Sequence, residues 1–117
     1  MKVGVTYSSF DLLNINHVEI LKNARKQCDY LIVCLKLEPS LNQLNRNKNS
    51  QSIIEKYIQL KESKNVDEIV PYVLKEDIDD LLRSFKIDIC IVNEKNTDFI
   101  GKKYCLKKGI EIYNNFL

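Results

Sequence analysis

The residues best equipped for chemistry stand close together near the start of the chain. The run Lys2-Val-Gly-Val-Thr-Tyr-Ser-Ser-Phe-Asp-Leu-Leu-Asn-Ile-Asn-His17 holds the one histidine of the 117-residue sequence. It reads as a strand, a short polar turn and a helix that starts beside the histidine. Such a turn aims free backbone N–H groups and the positive end of a helix at one point, which suits a phosphate. The pocket is expected over Ser8 to Phe10, Asn14 and His17, where backbone donors converge. Asp11 is expected to satisfy backbone donors in the turn rather than to move protons, because Asp side chains commonly close such turns.

The elements that must position these residues follow from hydrophobic periodicity. Strand-length apolar runs alternate with helix-period segments, a βαβα rhythm that implies a parallel sheet covered by helices. Five strands are predicted: Lys2 to Tyr7, Tyr30 to Leu37, Glu68 to Val70, Asp88 to Val92 and Ile110 to Tyr113. The second and fourth are apolar on both faces and belong at the centre of the sheet. Ile78, Leu81, Leu82 and Phe85 fall at i, i+3, i+4 and i+7 and predict a helix packed on that sheet. Ser52 and Glu55 have capping-box spacing, so a helix should begin near Ser52 and run to Lys64. Another, from Asn16 to Gln27, would bury Val18, Leu21, Ala24 and Cys28, and a fourth is predicted from Asp98 to Lys108 despite Gly101. Right-handed crossovers then give a three-layer α/β domain with strand order 3-2-1-4-5 and a switch point beside the first strand. The Asn-rich stretch from Glu38 to Ser50, with Arg46 and Lys48, has no hydrophobic period and predicts a mobile loop bounding the pocket.

Composition sets the outer limits. The chain is 44% hydrophobic and 29% charged with three Gly and two Pro, as expected of one globular domain spanning residues 1–117. A net charge of +2 without a like-charge block speaks against a nucleic-acid or membrane-surface partner, and Lys102, Lys103, Lys107 and Lys108 read as a solvated helix face. The first apolar run is too short for a signal peptide or a membrane span, which predicts a cytoplasmic location. Cys28, Cys34, Cys90 and Cys105 form no C-x-x-C pair, so neither a zinc site nor a disulfide framework is expected. Cys34 and Cys90 should be inert core residues.

The run ending at His17 resembles the G-T-F-D-L-L-H-x-G-H signature of the cytidylyltransferases, best matched by the glycerol-3-phosphate cytidylyltransferases. The likeness continues through Asp29-Tyr-Leu-Ile-Val, Val66-Asp-Glu-Ile-Val-Pro71 and Ile87-Asp-Ile-Cys-Ile-Val, and so covers the chain to about Tyr113. The resemblance implies a Rossmann-like nucleotidyltransferase fold. It also implies a reaction that joins a nucleoside monophosphate from CTP, or else ATP, to a small phosphorylated alcohol such as glycerol-3-phosphate, releasing pyrophosphate with magnesium. His17, Asn14 and Lys48 would be the catalytic positions, and Ser8, Ser9, Phe10, Asn16, Lys56 and Lys64 the nucleotide-binding ones. Lys48, Lys56 and Lys64 stand for the family's Lys and Arg phosphate ligands, with a solvated surface role as the competing reading. Glu38 is either a pocket residue or an edge charge. A homodimer is a further expectation.

The sequence also departs from the family pattern. His-x-Gly-His is replaced by Asn14-Ile15-Asn16-His17. Asn14 can donate a hydrogen bond but cannot become a cation, and loss of one preorganised oxyanion donor costs about a hundred- to a thousandfold in rate. Asn16 adds a side chain where the family has glycine, although Asn tolerates a left-handed backbone. A Gly-Asp-Asp-Trp-like segment is replaced by Asn93-Glu94-Lys95-Asn96, and no Arg-Thr-x-Gly-Ile-Ser-Thr-Thr segment follows the fifth strand, where the sequence reads Asn114-Asn115-Phe116-Leu117. These changes predict weakened cytidylyl transfer. The alternative is a catalytically inactive module that binds a nucleotide or associates subunits. A flavodoxin- or response-regulator-type fold shares the rhythm but not the turn motif.

Overall fold

The computed structural model of the chain describes residues 1–8, 15–37, 52–74, 76–92 and 101–115, the side chains of residues 8, 15 and 16 excepted. Its strands are β1 (Val3–Ser8), β2 (Tyr30–Lys36), β3 (Glu68–Tyr72), β4 (Ile89–Val92) and β5 (Glu111–Asn114). Its helices are α1 (Ile15–Lys26), α2 (Ile53–Glu62), α3 (Asp77–Ser84) and α4 (Lys102–Lys108). The five strands form one sheet in the order β3-β2-β1-β4-β5, as predicted. Every pairing is parallel, with Val5 opposite Ile32 on one side of β1 and Cys90 on the other.

Right-handed crossovers explain where the helices lie. The strand order steps one way from β1 to β3 and the other way to β4 and β5, which sends the first two helices to one face and the last two to the other. Leu21 and Ala24 of α1 and Leu60 of α2 pack on Leu31, Val33, Leu35, Ile89 and Ile91. Ile78 and Leu82 of α3 and Cys105 of α4 pack on Val5, Ile32, Cys34, Cys90 and Val92. Consecutive residues of β2 and β4 thus alternate between two cores, so both strands are continuously apolar.

Several boundaries differ from expectation, each for a physical reason. Val18 is 42% exposed rather than buried. At about 100° per residue it sits roughly 90° around the helix from the mean direction of Leu21, Ala24 and Cys28. β3 continues through Pro71 to Tyr72, which an edge strand tolerates because the missing N–H faces away from the ladder. Ser52 caps α2 as its spacing suggests, accepting from the Glu55 N–H at 3.1 Å and donating to Glu55 Oε1 at 3.0 Å. The helix ends at Glu62, short of Lys64. α4 starts only at Lys102, after Gly101 with φ 92°, and residues 98–100 lie outside the described set. A Cβ at Gly101 would collide with Leu82 Cδ1, so glycine allows both the left-handed turn and the close approach of α4 to α3.

All four cysteines are buried and free. Burial pushes the Cys34 thiol up to about 12. Cys90 is raised as well, first by its hydrogen bond with Cys105 and then by burial. Both are protonated, unreactive core groups at neutral pH. Among the described residues no helix is long and apolar enough to cross a membrane.

Candidate functional site at the carboxyl edge

In an open α/β sheet the crevice for ligands lies beyond the carboxyl ends of the strands where the strand order reverses. Here that point is between β1 and β4, whose pairing runs to Thr6 opposite Ile91. β1 continues to Ser8, in register with Leu35 of β2. α1 then begins at Ile15, so its first turn stands at this edge, with the half-buried His17 as its third residue. That turn has no acidic residue, while Arg25 and Lys26 occupy the last turn. The positive end of the helix dipole therefore faces this edge, and the basic last turn offsets the negative end within the chain.

α2 contributes a cation to the same edge. In a parallel sheet each connecting helix runs back against the strands, so Ser52 and the start of α2 lie at the carboxyl edge and Glu62 at the amino edge. Lys56 is buried, on the side of α2 that also buries Leu60. The Cα–Cβ bonds of a helix tilt toward its N-terminus, which leans Lys56 back toward the carboxyl edge. Lys56 and His17 each have an interaction partner of their own. α1 and α2 share one face of the sheet, so Lys56 and His17 share an edge and a face.

Residues 5–115 match the cytidylyltransferase-like family. The chain belongs to that family. It is 30% identical to glycerol-3-phosphate cytidylyltransferase of Staphylococcus aureus over 106 residues, 88% of this chain and 80% of that one. It is 29% identical to glycerol-3-phosphate cytidylyltransferase of Bacillus subtilis over 112 residues, 96% of this chain and 84% of that one. A lipopolysaccharide core biosynthesis protein from Thermoplasma volcanium superposes with a TM-score of 0.71 at 21% identity, covering 97% of this chain and 93% of its own, a likeness of fold alone.

Against this cytidylyltransferase-like frame, the residues singled out from the sequence separate clearly. Ser8 ends β1, and Asn16 is the second residue of α1 with a right-handed helical backbone. No described residue other than glycine has a positive φ, so the left-handed conformation considered for Asn16 is not adopted. Lys64 is a correction. It is exposed in the turn between α2 and β3, at the amino edge, and the ten-residue helix α2, about 15 Å long, separates it from the edge of His17. Ser9, Phe10, Asp11, Asn14, Lys48, the loop from Glu38 to Ser50 and Asn93 to Asn96 lie outside the described residues. Lys103, Lys107 and Lys108 are exposed, as a solvated helix face requires.

Two sets of polar residues escaped the sequence reading. Asn115, just past β5, is 3% exposed and hydrogen-bonds to both β4 and α1. At the amino edge, Asp29, Asp67 and Asp88 form three copies of one reciprocal contact. Asp29 accepts from the Lys2 N–H and donates its own N–H to the Lys2 carbonyl, both at 2.8 Å. Asp88 does the same with Val3 at 2.8 and 2.9 Å, and Asp67 with Leu31 at 2.8 and 3.0 Å. The available signal was an Asp immediately before Tyr30, Glu68 and Ile89, the first residues of three strands.

Among the described residues no group of three or more His, Cys, Asp or Glu side chains could hold a metal ion. The described donor set does not fit a protein-held metal centre.

Proposed function

We propose that this cytidylyltransferase-like chain transfers a cytidylyl group from CTP to a small phosphorylated alcohol such as glycerol-3-phosphate, at a rate lowered by its altered motif. The observation that carries the reading is the position of His17, in the first turn of α1 at the switch point, in a chain 30% identical to a glycerol-3-phosphate cytidylyltransferase. In this reading an oxygen of the acceptor phosphate attacks the α-phosphorus of CTP, and the bond to pyrophosphate breaks. His17 and the N–H groups at the start of α1 stabilise charge on the α-phosphate, and Lys56 supplies a point charge from α2. Lys48 would be a second cation toward the phosphates. Magnesium would enter with the triphosphate, whose own oxygens are its usual ligands. Asn14 replaces one cationic donor by a neutral one, which lowers the rate without removing the anion site.

The test is a calorimetric titration with CTP and with ATP in the presence of magnesium, followed by an assay of pyrophosphate release with glycerol-3-phosphate. Binding of CTP with slow, acceptor-dependent release is the expected result. Binding without release identifies the inactive nucleotide-binding module instead, and failure to bind either nucleotide ends the reading.

A further inference from the structure

α1 is gripped unevenly. Its later turns are held by the buried Leu21 and Ala24, with Cys28 buried just past its end, whereas Val18 in the first turn is 42% exposed. Apolar burial is non-directional, so these contacts hold the body of the helix without fixing its beginning. Asn115 adds a directional contact in the turn that follows His17. Its backbone N–H donates to the carbonyl of Val92, the last residue of β4, at 2.7 Å. Its side-chain Nδ2 donates to the carbonyl of Ile20, three residues after His17, at 2.8 Å. A helical carbonyl has a second lone pair beyond its i+4 bond, so this contact adds to the helix ladder rather than interrupting it. One residue therefore ties the end of β4 to the second turn of α1, three residues after His17.

We infer that Asn115 is the positioning residue for His17: by bracing α1 against β4, it sets where the imidazole stands in the switch-point crevice. The brace is local geometry, and its purpose rests on the nucleotide reading above. The consequence is large if that reading holds, because a misplacement of about 1 Å can cost a hundredfold in a reaction that depends on alignment. The amide is suited to the task in a way a carboxylate is not. Asp at this position would keep the backbone bond to Val92 but present only acceptors to the Ile20 carbonyl, turning attraction into repulsion.

The chain's single histidine makes the test direct, since every imidazole C–H resonance belongs to His17. The pH titration of that resonance is followed in the wild type, Asn115→Ala, Asn115→Asp and, as an amino-edge control, Asp29→Ala. CTP with magnesium is then added to each. Both Asn115 variants should shift the imidazole resonance and its titration midpoint, while Asp29→Ala should match the wild type. CTP should bind more weakly to Asn115→Ala, by up to about fivefold, the ceiling set by one ordinary hydrogen bond, and more weakly still to Asn115→Asp. Identical imidazole titrations in the wild type and the Asn115 variants overturn the inference, and so does an equal shift in Asp29→Ala. If the Asn115 variants differ without nucleotide while CTP moves the imidazole in no form, the brace stands and the nucleotide reading falls. Should Asn115→Asp fail to fold, Asn115→Ala supplies the comparison, because it removes the bond without adding repulsion.

Discussion

The two edges of the one sheet are finished by different chemistry. At the amino edge the polar groups are turned on each other: Asp29, Asp67 and Asp88 each exchange two hydrogen bonds with the backbone of a neighbouring strand. Lys2 Nζ meets Glu111 at 3.0 Å, and Arg25 Nε stands 3.1 Å from Asp67. At the carboxyl edge the chain instead presents the start of α1 without an acidic residue, His17, and Lys56 on α2. An edge that satisfies itself stabilises the fold. The other edge sets these basic groups at the switch point, where the proposed nucleotide would sit. Stability and activity should therefore separate by edge, and each substitution below either breaks that separation or sharpens it.

The largest effect belongs to the carboxyl edge. Asn14→His restores a cationic donor and should raise cytidylyl transfer by about a hundred- to a thousandfold while leaving the melting temperature unchanged. Steady-state pyrophosphate release and thermal unfolding of the same preparations check both halves. Because Asn16 lies in a regular helix, the single change is a cleaner test than one that also introduces glycine there. A wild type that already turns over at ordinary enzyme rates, with no gain from Asn14→His, would falsify the weakened-site reading.

Next comes Gly4, near the amino edge. A Cβ there would lie 2.8 Å from Cys28 Sγ and 3.0 Å from Cys28 Cβ, so Gly4→Ala must push the end of α1 off the sheet. A loss of about 1–3 kcal/mol is expected, as for overpacking elsewhere. Cys28→Ala in the same chain should recover part of it, measured by urea denaturation as a double-mutant cycle. The affinity for CTP in folded protein should hardly move. A large change in affinity would show that the grip on the far end of α1 is felt at His17, and the edges would not be independent.

Asp67→Ala is expected to cost about 1–3 kcal/mol, since it leaves the partly buried Leu31 N–H without its carboxylate and removes the charge beside Arg25. Chemical denaturation measures the loss, and turnover per folded molecule should be retained. Equal losses of turnover and stability would join the two edges.

These contrasts also show what the sequence could convey. Strand order was legible because two cores demand continuous apolar runs in β2 and β4 and because crossovers have one hand. The capping of α2 was legible because Ser52 and Glu55 are three residues apart. The Asp contacts were not, for each joins residues between 27 and 85 positions apart and leaves no local period. Lys56 and Lys64 look equivalent as charges in a row. They diverge because α2 ends at Glu62, which leaves one at each edge. Asn115 is a lone polar residue after a short strand, and its partner Ile20 is 95 residues away. The family motif points to His17 and is silent on Asn115.

The smallest expected effect tests the amino edge by pH. The Tyr30 hydroxyl donates to Glu68 Oε1 at 2.7 Å across the first residues of β2 and β3. That hydrogen bond, then burial and then the negative charges of Glu68 and Asp67, raises the phenol above its ordinary value of 10.0. Its protonated form is thus favoured by folding. Below pH 10.0 the phenol is protonated in both states and the full contribution is present. As pH rises past that point the unfolded chain gives up its proton first, and the contribution falls until the folded phenol also ionises. Tyr30→Phe should lower stability at pH 8 and lose that deficit on moving to pH 11, with the two proteins' urea midpoints converging. Cys34 also destabilises the fold in this range, its thiol being raised from 9.0 to about 12, but it is common to both proteins and cancels in their difference. A deficit that stays constant from pH 8 to pH 11 would mean that the ring, rather than the hydroxyl, ties β2 to β3 at this edge.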